Sequence, residues 1–132
     1  MILVDSNVLL DLFTNDPAWY DWSARALSQC AETDTLAVNP VIYSEVSVGF
    51  ERIEELDLCL PETLFKRLPL PWEAGFLAGK VFVRYRRAGG LRHSPLPDFF
   101  IGAHAAVSGL RLITRDPKPY RTYFSTLELI AP

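Results

Sequence analysis

The chain has 132 residues, 49% of them hydrophobic and 22% charged, a balance that suits one folded domain and excludes a low-complexity or disordered chain. No basic stretch leads into an apolar run at the N-terminus and no apolar segment approaches a membrane span, so a cytoplasmic protein that does not engage a membrane is expected. The net charge of −3 conceals a balance of −10 over residues 1–65 and +8 over residues 66–121, which fits a polyanionic partner for the basic half and equally fits halves that pair their charges.

"ILV" (2–4) reads as a short buried strand running directly into Asp5. "SNVLLDLF" (6–13) follows as a first helical segment, ending near Thr14-Asn15. Asp16-Pro17 supplies a cap and a first-turn proline for a helix to about Ala31. "TLAV" (35–38) is a second strand. Asn39-Pro40 repeats the capping signal for a helix to about Phe50, and a further helix spans roughly Glu51 to Leu58. "RLPLP" (67–71) is an irregular or short extended connection. Trp72 to Ala88 has helical periodicity and stops at Gly89-Gly90. Pro97 opens a helix from Asp98 to about Ser108, closed by Gly109. "RLIT" (111–114) is a strand, "PKPYRTYF" (117–124) a loop or short helix, and "LELI" (127–130) a last strand. Cys30 and Cys59 lack ligand-like spacing and read as reduced, core-facing residues.

Strands alternating with helices point to an α/β fold, a parallel sheet sandwiched by helices, as a single domain over 1–132. Ligands of such sheets bind beyond the carboxyl ends of the strands. Asp5 and Asp116 both fall at that edge. Glu45 lies on a helix whose apolar stripe runs through 41, 42, 45, 48 and 49, so it interrupts a face that should be buried. Asp98 opens a very apolar helix, "DFFIGAHAAV". Three of the acids also have a structural explanation: Asp5 as a helix cap, Asp98 as a first-turn acid favoured by the helix dipole, Asp116 as a turn residue before Pro117; Glu45 is harder to dismiss. Taken together, four such acids call for a shared partner. The basic residues near them in sequence are few (Arg115, His104, Lys118), and Mg²⁺ or Mn²⁺ suits an all-oxygen set.

"MILVDSNVLLDLF", the acid at Glu45, "LPDFFIGAHAAVSGLRLITRD" and the following "PYRTYF" together resemble the PIN-domain ribonucleases, and the small single-domain form is most similar to the VapC toxins of VapBC toxin–antitoxin pairs. The resemblance implies a parallel sheet with an acidic cluster at its carboxyl edge. It assigns Asp5, Glu45, Asp98 and Asp116 as catalytic and metal-binding residues, with Asn7 and Thr114 supporting them. It also implies endoribonuclease activity with a metal-activated water, an RNA substrate and a VapB-like antitoxin as partner; a homodimer is the expected assembly. Arg86, Arg87, Arg92, Arg115 and Lys118 are candidates for RNA phosphates, although a solvated helix end explains any one of them as well. Trp19, Tyr20, Trp22 and Trp72 read as core or protein interface ahead of base stacking. His104, on another helical face than Asp98, is not expected to be catalytic.

Two rivals come from other classes. One is a non-catalytic PIN-like module that binds RNA or protein through the basic half. The other is a phosphatase or receiver-like domain, disfavoured because Asp5-Ser6-Asn7 lacks the second aspartate of a haloacid-dehalogenase-like motif.

Overall fold

The computed structural model describes residues 1–90 and 96–132. Five strands form one sheet: β1 (Ile2–Val4), β2 (Leu36–Val38), β3 (Phe65–Arg67), β4 (Arg111–Ile113) and β5 (Leu129–Ile130). Their order is β3-β2-β1-β4-β5, and every pairing is parallel. β1 and β2 are buried along their whole length and β4 at Leu112 and Ile113. Strands covered on both faces need helices on both, which is why these segments read as continuous apolar runs.

Seven helices among the described residues supply that cover: α1 (Ser6–Phe13), α2 (Tyr20–Thr33), α3 (Pro40–Ser47), α4 (Ile53–Cys59), α5 (Trp72–Arg87), α6 (Leu96–Ser108) and α7 (Lys118–Tyr123). α3 starts as its sequence dictates. Asn39 accepts the Ile42 amide at 2.9 Å and Pro40 occupies the first turn, where its missing N–H costs nothing. α6 buries Phe99 and the run from Ile101 to Ala105 and packs along α5, α3 and α7. A Cβ at Gly102 would fall 2.5 Å from the Phe124 ring, so glycine there lets the chain after α7 close onto α6.

The chain departs from its sequence reading in several places. β3 occupies Phe65–Arg67, slightly before the proline-rich stretch; only Phe65 is buried, as befits an edge strand. α2 begins at Tyr20 because Asp16 caps a separate turn, accepting the Ala18 and Trp19 amides at 2.9 Å each. α3 ends at Ser47, so positions 48 and 49 are not on its stripe: Val48 is 86% exposed, and only Ile42 and Val46 are buried. Glu45 therefore stands on a rim rather than inside the core. Cys30 is buried, but Cys59 is exposed at the end of α4, a helix that buries only Leu56.

Candidate active site

In the observed strand order the chain leaves β1 toward β2 on one side and reaches β4 on the other. The crevice between β1 and β4 is therefore the switch point where parallel sheets build sites. Pairing continues past the strands: the Asp5 amide donates to Ile113 O at 3.0 Å and the Thr114 amide to Ile130 O at 3.0 Å. Asp5 and Thr114 are thereby fixed side by side. The Thr114 hydroxyl donates to Asp5 Oδ2 at 2.8 Å, and Asn7 Nδ2 reaches Thr114 Oγ1 at 3.2 Å and Asp5 Oδ2 at 3.4 Å. Asn7 Oδ1 also accepts the Arg115 amide at 3.3 Å. Although Asp5 stands at the cap position of α1, its carboxyl makes no capping hydrogen bond to that helix.

The other acids come from three further elements. Glu45, on α3, accepts the Ser6 hydroxyl at 2.8 Å. Asp98 lies in the first turn of α6, 3.4 Å from the hydroxyl of Tyr120, which itself donates to Asp5 Oδ2 at 2.8 Å. Asp116 follows β4, exposed at the mouth, its amide bonded to Thr114 Oγ1 at 3.1 Å. The structure thus brings Asp5, Glu45, Asp98, Asp116, Asn7 and Thr114 to one edge.

Electrostatics register the crowding. Burial pushes Asp98 up to about 7, and the charges of Asp5, Glu45 and Asp116 add to the rise. Burial also raises Asp5, against the opposing pull of hydrogen bonds from Tyr120, Thr114 and Ser6. Glu45 is raised by burial and by the Asp5 charge, with the Ser6 bond acting against it. Among the described residues, none of the four acids forms an ion pair. Nor is any group of three or more His, Cys, Asp or Glu side chains among them drawn into metal-ligand spacing. A carboxylate ring this repulsive and this open fits a hard cation that keeps most of its waters, as Mg²⁺ does, better than a closed protein cage.

Three participants escaped the sequence reading. Ser6 and Tyr120 are the hydroxyls just described. Asp11, only 2% exposed, accepts Arg115 Nε at 2.9 Å and the Ser23 hydroxyl at 2.7 Å. The Arg115 guanidinium also lies over the Trp19 ring, 5.6 Å from its centroid. Asn7 and Asp11 are four residues apart on one face of α1, a signal available in the sequence. Of the RNA-binding candidates, Arg115 is therefore engaged inside the fold. Arg86, Arg87 and Lys118 are exposed and form no ion pair among the described residues, Arg86 lying over Phe82. Arg92 lies outside the described residues. The charged halves do pair in part, through Arg67–Asp57, Arg111–Asp34 and Arg115–Asp11. His104 is buried, joined to Asn39 Nδ2 through Nδ1 at 2.9 Å, and burial lowers its pKa, so it belongs to the core.

The PIN domain model matches residues 2–125. The chain belongs to the PIN domain family. Solved structures share the whole PIN fold. VapBC2 from Rickettsia felis, solved bound to a DNA fragment from its promoter, superposes with a TM-score of 0.76 at 18% identity, covering 100% of this chain and 99% of that one. VapBC-1 from nontypeable Haemophilus influenzae gives 0.73 at 19%, covering 99% and 98%. A toxin–antitoxin complex from Klebsiella pneumoniae gives 0.66 at 22%, covering 98% and 96%. No curated protein matches this PIN domain significantly. No helix among its described residues is long and apolar enough to cross a membrane.

Proposed function

We propose that this PIN domain is a metal-dependent endoribonuclease, the toxin of a toxin–antitoxin pair that acts in the cytoplasm. The observation that carries the reading is the set of four carboxylates at the β1–β4 switch point, none with a cationic partner among the described residues, of which Asp5, Glu45 and Asp98 are raised in pKa. A domain does not hold such a repulsive cluster for stability, and perturbed acids in a crevice are the usual mark of a working site. Asp5, Glu45, Asp98 and Asp116 are the residues to hold Mg²⁺ or Mn²⁺. Bound there, the ion would polarise a phosphodiester oxygen and acidify a water toward neutrality.

The chain's own groups do the rest. Thr114 and Asn7 fix Asp5, Ser6 orients Glu45, and the Asp98 carboxyl holds a proton near neutrality until a cation replaces it. The exposed Arg86, Arg87 and Lys118 offer positive charge for the RNA backbone. That structures of the same fold are toxin–antitoxin complexes supports a VapB-like antitoxin as partner; the toxin itself is proposed to be a homodimer.

In the test, Asp98→Ala abolishes RNA cleavage and growth arrest, chelator stops the wild type, and Mn²⁺ or Mg²⁺ restores it. Asp11 is no neutral control, being buried and ion-paired; the exposed Asp21 on α2 is, and Asp21→Ala keeps full activity. Cleavage undiminished in excess chelator defeats the metal mechanism. The rival, a non-catalytic RNA- or protein-binding module, draws on the lack of preformed metal-ligand spacing among the described residues. It requires wild type that binds RNA without cutting it.

A further inference from the structure

α7 delivers a residue that the acid set does not include. Tyr120 is 1% exposed, and its hydroxyl meets Asp5 Oδ2 at 2.8 Å. The same oxygen receives Thr114 Oγ1 at 2.8 Å, with Asn7 Nδ2 more distant at 3.4 Å. A carboxylate oxygen offers two lone pairs in the carboxylate plane, so two short hydroxyl donors saturate Oδ2. Oδ1 is treated differently. Among the described residues its side-chain donor is the Ser6 hydroxyl, at 3.4 Å, and Ser6 gives that one hydrogen to Glu45 at 2.8 Å; the Ser6 amide also bonds the Asp5 carboxyl. The Tyr120 oxygen also lies 3.4 Å from Asp98 Oδ1, so it stands between the two acids as a spacer.

We propose, resting on the metal-nuclease reading, that Tyr120 is a positioning residue: with Thr114 it clamps Asp5 Oδ2, so that Asp5 presents a cation with the single oxygen Oδ1 in a fixed direction. The consequence is selectivity among hard cations. Mg²⁺ demands near-octahedral geometry and retains waters, which a one-oxygen ligand leaves room for; Ca²⁺ takes six to eight oxygens and readily accepts both oxygens of a carboxylate. Locking Oδ2 away therefore favours the smaller ion. A phenol suits the task, because its hydroxyl rides on a rigid ring anchored in the core and is not free to follow the carboxylate if it turns.

Tyr120→Phe keeps the ring and removes the clamp. Titration of the RNA-free protein with each metal alone should show Mg²⁺ affinity falling about tenfold, the scale on which partners of metal ligands act. Ca²⁺ affinity should hold or rise, and Mg²⁺-supported cleavage should lose kcat with the RNA KM unchanged. A merely structural tyrosine would weaken both ions alike; parallel losses, or no change for either ion, overturn the proposal. Where Tyr120→Phe does not fold, Thr114→Val removes the other short donor to the same oxygen, and it must shift the same ratio or the proposal fails. A wild type that binds neither ion overturns the nuclease reading and the clamp with it, whereas a wild type that binds and cleaves beside a variant with unaltered selectivity overturns the clamp alone.

Discussion

Asp5 and Asp11 are almost equally buried, at 1% and 2% exposure, yet the fold treats them in opposite ways. Asp11 receives a guanidinium, a hydroxyl and, across the guanidinium, an indole ring. Asp5 receives neutral hydroxyls and an amide, with further acids as its charged neighbours. A buried carboxylate with its cation built in joins α1 to the end of β4 and is complete. One without a cation is held only by donors that orient it, and is complete only when something else arrives. On the proposed function, the contrast separates an acid that supports the site from an acid that belongs to it.

Removing each charge tests the contrast most strongly. Asp11→Asn leaves Arg115 partly buried and unpaired and should cost about 2–3 kcal/mol in denaturant unfolding, less than a fully buried pair would because Arg115 is 32% exposed. Asp5→Asn should act in the other direction, raising the metal-free melting temperature by a few degrees, roughly what relief of 1 kcal/mol gives at this size. It should also lose cleavage and most of the stabilisation that Mn²⁺ gives the wild type. Equal destabilisation by both variants would make Asp5 a structural acid too.

A pH series sharpens the same point with a smaller effect. Asp98 titrates at about 7 in the folded chain against 3.8 for a free side chain. Between those values the folded protein holds a proton that the unfolded chain has released, so metal-free stability falls as pH rises through the window. Melting at about pH 5.5 should therefore exceed melting at about pH 7.5, with Asp98→Asn flattening most of the difference and saturating Mg²⁺ reversing its sign. Asp34 and Asp57 are held below the ordinary carboxylate range, chiefly by the Thr35 amide and the Tyr43 hydroxyl, and lose their contributions only at still lower pH. A metal-free protein that is more stable at the higher pH would show that the acid cluster carries no strain.

The smallest effect concerns the bases. Arg115 is committed to Asp11, whereas Arg86 and Arg87 are exposed at the end of α5. Neutralising both should lower the salt slope of RNA binding by up to about 1.4 if each meets one phosphate of a single strand. An unchanged slope removes this pair from the RNA path.

Much of this was legible in the sequence, for identifiable reasons. β1, β2 and β4 are buried on both faces and spell apolar runs, and Asn39-Pro40 spells a helix start because capping is chemistry local to a few residues. β3 does not read as a strand because "FKR" buries one residue in three, leaving no apolar run to find. The acids stood out by falling where strands end or helices begin. Their supports did not, because Tyr120 reaches Asp5 across 115 positions and Arg115 reaches Asp11 across 104. Glu45 was singled out for a stripe that α3 does not extend far enough to form; what sets it apart is its bond to Ser6.

The two rims of the sheet carry a last consequence. β3 is three residues long with Lys66 and Arg67 exposed, and Arg67 is already drawn to Asp57, Glu62 and the Tyr43 ring; β5 has only two residues. Edges this short and, on one side, this charged do not template an incoming strand. A peptide that recognises this domain thus gains little from main-chain β-augmentation and must be read through side chains seated on helices. Recognition of that kind is set by the identity of individual residues, so close relatives of this chain can diverge in partner while their backbones stay the same.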